Sequence, residues 1–397
     1  NFLHVVQKGI QMIDTNFLEH VLIDKMNNIN LNAFIEENKN LPSQGTKEWL
    51  DNKKYKIGGS EIATILNLNP YQSTKDLIGF HSNTKIFNNN IAIYWGRLFE
   101  SVLQNKINSL LNCKINEFGS IPHKKHGNVA YSPDGVAVVH KSKLNKLIDV
   151  EDLNRFSLIV LFEFKCPYSR IPTGLIPDYY LPQPKLGLDI IKICDIAIFT
   201  EAIFRLCNIN DLDYNDKYNK SLHSKCSFTD TPLQLGYIIV YYDRIEITED
   251  MDEDIIRRME LLCKISDYIE NKYNNIYNKE LDLYDLGQDS NYYVINTVME
   301  YIFINSFFQT KTIELIDIEL KKESVKTESL KLESEDKAVF GIIPYKLIKL
   351  YNNRVDRDGD DYLDSSIIEK IDDVISIIKS CDNKNFNERI NIINNIK

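Results

Sequence analysis

Tyr131-Ser132-Pro133-Asp134-Gly135, followed from position 161 by Leu161-Phe162-Glu163-Phe164-Lys165-Cys166-Pro167, is the stretch whose reading decides the fold. Leu158 to Phe164 is an apolar run interrupted by one carboxylate, with Lys165 two positions beyond Glu163. Period-two alternation places Glu163 and Lys165 on one face of a strand. A buried strand does not carry a carboxylate and an ammonium on the same face without a reason. Asp134, between Pro133 and Gly135, lies in turn chemistry that exposes a carboxylate at the end of the preceding segment. Two carboxylates and one ammonium at adjoining strand ends are the parts that hold a divalent cation and orient a water against a phosphodiester. Taken singly, a Ser-Pro-Asp-Gly turn and a Glu-x-Lys strand are ordinary structural features. Their conjunction, Pro-Asp followed 29 positions later, 134 to 163, by Glu-x-Lys, is far less ordinary than either alone.

The chain has 397 residues, room for one large domain or two ordinary ones, and 43% of them are hydrophobic, enough for a sizeable core. Lys and Arg number 47 against 57 Asp and Glu, a net charge of −10, so no global positive field attracts nucleic acid. DNA binding has to rest on local patches. No run approaches the roughly 18 apolar residues of a membrane span, and the first residues lack a signal-peptide pattern. The chain opens on Asn1 and reads as a fragment or a processed form. Seven cysteines without CxxC spacing argue against a disulfide framework and for a reducing, intracellular setting. His123 and His126, flanking two lysines, read as a solvated basic loop in preference to metal ligands.

Along the chain, residues 1–44 form an N-terminal helical segment, 45–275 a core, and 276–397 a C-terminal extension, mostly helical, with a charged mobile stretch at 321–337. Thr46 to about Lys54 suits a helix, and Ser60 to Leu66 a second with Ser60 at its N-cap. Gly58-Gly59-Ser60 before a helix start is either a local anion site or a plain cap. Trp95-Gly96-Arg97-Leu98-Phe99-Glu100 heads an amphipathic helix whose apolar positions Leu98, Val102, Ile107, Leu110 and Leu111 approximate one face. Residues 115–139 suit two strands with Asp134 between them, and 141–157 is a charged insertion that caps or edges the sheet. Ile193–Phe204 and Leu235–Ile247 read as later strands, Met251–Tyr273 as a helix, and the segment from Ser365 as the final helices. Asp356 to Asp361 fails the EF-hand pattern, which needs Gly at its sixth position.

The order of Glu48-Trp49-Leu50, Lys53, Gly58-Gly59-Ser60-Glu61-Ile62-Ala63, Asn69-Pro70-Tyr71, Trp95 to Glu100, Ser132-Pro133-Asp134-Gly135, Glu163 to Pro167 and Tyr180-Leu181-Pro182-Gln183 resembles the YqaJ-like, phage lambda-type viral recombination exonucleases. Later segments resemble the versions of large DNA viruses such as African swine fever virus. The resemblance implies an α/β fold with a PD-(D/E)xK restriction-endonuclease-like core, a mixed central sheet flanked by helices. It implies Mg²⁺, with Mn²⁺ able to substitute, on Asp134, Glu163, the Phe164 carbonyl and Glu100. Lys165 would polarise the attacking water, Gln183 would help hold the water or phosphate, and Ser60, Lys53, Gly59 and Arg97 would contact DNA. Where the family usually has Arg, this chain has Lys53, which keeps the charge but loses the bidentate fork.

The implied activity is degradation of one strand of duplex DNA from a 5′ end, leaving 3′ single strand for viral recombination, repair or replication. Implied partners are double-stranded DNA ends, a single-strand annealing protein and copies of the chain in a trimer, in host cytoplasm or a viral factory, with no membrane. The alternatives are a structure-selective endonuclease of the same superfamily, or an interaction protein modulating host signalling on a nuclease fold.

Overall fold

A computed structural model of the chain describes residues 15–42, 47–85, 91–206, 233–243, 313–318, 337–357, 359 and 361–396. Its elements in order are α1 (Thr15–Asn38), α2 (Lys47–Lys53), α3 (Gly59–Ile65), α4 (Thr74–His81), α5 (Ile91–Leu111), β1 (Ile121–Pro122), β2 (Ala130–Tyr131), β3 (Gly135–His140), α6 (Lys141–Leu144), β4 (Ser157–Lys165), α7 (Pro182–Ile190), β5 (Ile196–Leu206), β6 (Gln234–Asp243), β7 (Ile313–Ile318), β8 (Lys337–Val355), α8 (Ser365–Ser380) and α9 (Phe386–Asn394).

Six strands form one mixed sheet in the order β3-β4-β5-β8-β6-β7. β3 and β4 are an antiparallel pair, β4 and β5 run parallel through the crossover that contains α7, and β8 joins β5 and β6 antiparallel. β4 is buried on both faces, as expected of a strand with a parallel neighbour and helices above and below. Its even positions Leu158, Val160, Phe162 and Phe164 pack with α5 through Trp95, Leu98, Phe99, Val102 and Ile107. Its odd positions Ile159 and Leu161 face a second apolar layer with Ile62, Tyr131, Leu186 and Phe199. The mixed sheet flanked by helices is therefore the architecture expected.

Helix ends follow local chemistry. Asp364 caps α8 by accepting from Ile367 N at 2.9 Å, and Asn385 caps α9 by accepting from Glu388 N at 3.0 Å. α8 buries Ile371, Val374, Ile375 and Ile378, a three-and-four spacing that makes one apolar stripe. The C-terminal helices are tied to the N-terminal part of the core: Lys54 and Tyr55 both donate to Asp382, at 2.9 and 2.6 Å, and Arg389 donates to Ser82 O at 2.9 Å.

Several expectations change. The cap of α3 is Gly58, with Ser60 inside the helix, because Glu61 reaches back to accept from Gly58 N at 2.8 Å and starts the helix two residues early. Val339–Tyr351 lies within a 19-residue strand, β8, seated between β5 and β6, so one sheet joins residues on both sides of position 275. The 141–157 insertion connects the edge strand β3 to β4 and buries Leu144, Ile148 and Val150. His123 is buried, its Nδ1 accepting from Lys125 N and His126 N and its Nε2 3.8 Å from Asp189, whereas Lys124 and Lys125 are exposed, so within the expected solvated loop it is His123 that departs. The helix expected at 251–273 and most of the charged stretch 321–337 lie outside the described residues.

Candidate active site

The site forms where β4 ends. Lys165 Nζ donates to Glu163 Oε1 and stands 3.9 Å from Asp134 Oδ2. Asp134, in the turn between β2 and β3, accepts from Phe164 N at 2.6 Å, which ties the Pro-Asp turn to the end of the Glu-x-Lys strand. Glu163 is fully buried and its other oxygen accepts from Tyr131 Oη at 2.7 Å. Glu100 reaches the cluster from α5, and its negative charge adds to the crowding around Asp134.

The electrostatics follow from burial and crowding. Burial, then Asp134's negative charge, pushes Glu163 up to about 7 against the pull of Lys165. Burial pushes Asp134 up to about 7, with Lys165 opposing and Glu100 adding. Glu100 is raised too, chiefly by burial. Burial works against the Lys165 ammonium, but Glu163, Asp134 and Glu100 together hold it charged. Three carboxyls around one ammonium leave a surplus of negative charge, which a hard cation relieves.

Among the described residues, no three His, Cys, Asp or Glu side chains are arranged to hold a metal ion as they stand. Lys165 lies among these carboxylates, its ammonium paired with Glu163 and within 4 Å of Asp134. The donors present, buried carboxylate oxygens, are of the hard type that a divalent cation such as Mg²⁺ takes.

Tyr131 is a site residue that periodicity missed, because the hydrogen bond it makes depends on where β2 sits relative to β4. It is clasped between two glycines. A Cβ on Gly59 would come 2.4 Å from the Tyr131 ring, and one on Gly187 within 2.7 Å of it. Gln183, in the first turn of α7, has its Cγ 3.3 Å from the same point on Gly59. Gly59, Gln183 and Tyr131 are thus neighbours.

The remaining expected residues lie further out. Ser60 is exposed in α3, and Arg97 is exposed on α5. Lys53 is already engaged: its Nζ is 3.0 Å from Glu61 Oε1 and 5.3 Å from the centre of the Trp49 ring. His81 binds the same Glu61 oxygen at 3.1 Å while its Nδ1 faces Lys54 O at 2.8 Å. Both ring nitrogens face acceptors, an arrangement that the doubly protonated ring satisfies. Burial opposes that charge, but Glu61 raises His81 above its ordinary value. Burial alone would raise Glu61; Lys53, then His81 and Gly58 N, hold it down at about 2.

A solved alkaline exonuclease, LHK-Exo from Laribacter hongkongensis, is 19% identical, with a TM-score of 0.30 over 40% of this chain and 74% of that one. A protein of African swine fever virus, isolate Tick/Malawi/Lil 20-1/1983, is 29% identical over 223 residues, 53% of this chain and 64% of that protein. Its counterpart from the isolate Tick/South Africa/Pretoriuskop Pr4/1996 is 30% identical over 219 residues, 51% of this chain and 61% of that protein. The chain thus spans a little under two thirds of the length of these two viral proteins. Residues 48–190, which hold Lys53, Ser60, Glu100, Asp134, Glu163, Lys165 and Gln183, match the YqaJ-like viral recombinase domain. Over that span the chain carries a YqaJ-like viral recombinase domain, homologous to the African swine fever virus protein.

Proposed function

We propose that the chain is a metal-dependent DNA exonuclease that hydrolyses one strand of a duplex from its 5′ end. The observation that carries this is the position of Lys165 Nζ between Glu163 and Asp134, with Glu100 against Asp134, at one strand end. Asp134, Glu163, Glu100 and the Phe164 carbonyl would hold Mg²⁺. The cation would supply charge stabilisation at the phosphate and a lower pKa for the attacking water.

The chain's own residues perform the rest. Lys165, kept protonated by three carboxyls, presents a fixed positive charge where negative charge grows on the phosphate. Tyr131 fixes one oxygen of Glu163, so the other is aimed toward the cluster. Burial and crowding raise the proton affinity of Asp134 and Glu163, and a bound cation would offset this by holding both as carboxylates.

The 5′-end preference rests on Lys53 and Ser60 beside the Gly58-Gly59 turn. A terminal phosphate carries more charge than an internal diester and competes better with Glu61 for Lys53. Linear duplex with a 5′-phosphate should be degraded faster than 5′-hydroxyl duplex, and closed circles should survive. Lys53→Ala should shrink that preference more than the basal rate. Equal cutting of both duplexes and the circle would instead favour a structure-selective endonuclease.

A further inference from the structure

The catalytic cluster does not end at Lys165. Its ammonium lies 5.7 Å from the centre of the Tyr180 ring, and the Arg170 guanidinium lies 5.8 Å from the same ring. Tyr180 packs on Tyr179 at 4.5 Å between ring centres, and Tyr179 meets Tyr71 edge-on at 5.6 Å. The outermost ring, Tyr71, is 78% exposed. Three tyrosines therefore run without a break from solvent to the hydrolytic centre.

Arg170 is held in this row from behind. It comes from the loop after β4 and pairs with Glu201 of β5, a fully buried carboxylate in register with Lys165. Glu201 Oε2 is buried without a hydrogen-bond partner among the described residues, so the Arg170 pairing is what answers its charge. The arrangement locks a cation against an aromatic face next to the cluster. Asn69 likewise fixes the base of Tyr71, its Oδ1 accepting from Tyr71 N at 2.9 Å.

A row of aromatic rings leading from solvent to cations at its inner end is the arrangement of a single-strand nucleic-acid track, where bases stack along the rings and phosphates meet positive charge. The chain's net charge of −10 makes such a local device necessary, because no overall field holds the polymer. We propose that Tyr71, Tyr179, Tyr180 and Arg170 form a stacking track for unpaired nucleotides of the strand whose phosphodiester lies at Lys165. The track rests on the nuclease reading for its ligand class, and it adds a base-dependent contribution to binding that the carboxylate cluster cannot provide.

The test uses the full chain carrying Glu163→Gln, in metal-free buffer at low salt. Binding of a 3′-fluorescein-labelled octathymidylate is compared with that of an abasic oligonucleotide of the same length and charge, by fluorescence anisotropy. The bases should improve affinity by about tenfold or more. Tyr71→Ala should abolish most of that difference and leave abasic binding nearly unchanged, while Tyr71→Phe should retain it. Circular dichroism checks that each variant is folded. Equal affinity for the two oligonucleotides, equal weakening of both by Tyr71→Ala, or no measurable binding of either overturns the track. A separate cleavage assay of the parent chain separates the two readings. Base-dependent binding through Tyr71 in an inert protein would refute the nuclease and keep the track; cleavage without any base-dependent difference would do the reverse.

Discussion

Tyr131 Oη donates a 2.7 Å hydrogen bond to Glu163 Oε2 inside a fully buried pair, while Lys165 holds the carboxylate's other oxygen. Both oxygens of Glu163 are thereby held, one by Tyr131 and one by Lys165. Tyr131→Phe keeps the ring between Gly59 and Gly187 but removes the donor. The hydrogen bond favours the ionised carboxylate, so its loss should raise the Glu163 proton affinity further. The acid limb of the pH–rate profile should move to higher pH, with a rate loss at pH 7 of about tenfold. An unmoved limb would show that Glu163 titration does not govern the rate.

The carboxyl cluster also makes a stability prediction. Asp134 and Glu163 are pushed up to about 7, whereas unfolded carboxyls titrate at about 4. Between those values the folded chain binds more protons than the unfolded one, so stability contributed by this pair is present at low pH and is lost as pH rises toward 7. In EDTA, Asp134→Asn or Glu163→Gln should raise Tm by a few degrees at pH 8, and by less at pH 5.5. A gain no larger at pH 8 than at pH 5.5 would contradict the crowding of charge described above.

Much of this centre was legible in the sequence because it lies on local rules. Period two placed Glu163 and Lys165 together, the Pro-Asp-Gly turn placed Asp134 at a strand end, and the apolar spacing of Leu98, Val102, Ile107 and Leu111 oriented α5. What was not legible depends on contacts between distant segments. Lys53 is held by Glu61 and His81, Tyr131 reaches Glu163 across strands, and Arg170 meets Glu201 only because β4 and β5 are parallel neighbours. Ser60 was misplaced at a cap because Glu61's reach back to Gly58, not residue type alone, decides where α3 begins.

The glycine clasp around Tyr131 should tolerate no Cβ. Gly59→Ala and Gly187→Ala each place a carbon within 2.7 Å of ring atoms that have buried neighbours on all sides. Overpacking of this kind should cost about 1–3 kcal/mol, measured by urea denaturation. It should also disturb the Glu163 hydrogen bond, so activity should fall even where the variant remains folded. A neutral effect on both would mean that Tyr131 is free to move.

Lys165→Ala removes the charge that answers Asp134, Glu163 and Glu100. Turnover should drop by about 10²- to 10³-fold, the scale of losing a preorganised electrostatic donor. Affinity for DNA should change far less, because one ammonium among many phosphate contacts contributes little to binding. A binding defect as large as the rate defect would make Lys165 a phosphate anchor.

The most direct measurement is cleavage of a 5′-phosphorylated, 3′-labelled linear duplex by the purified chain with Mg²⁺, beside EDTA, Asp134→Asn and Glu163→Gln controls, with folding of each variant verified by circular dichroism. The account predicts nucleotide release from the 5′ end by the parent protein, none in EDTA, and none from either folded variant. Undiminished release by Asp134→Asn or Glu163→Gln, or an inert parent protein under all metal conditions, would contradict it.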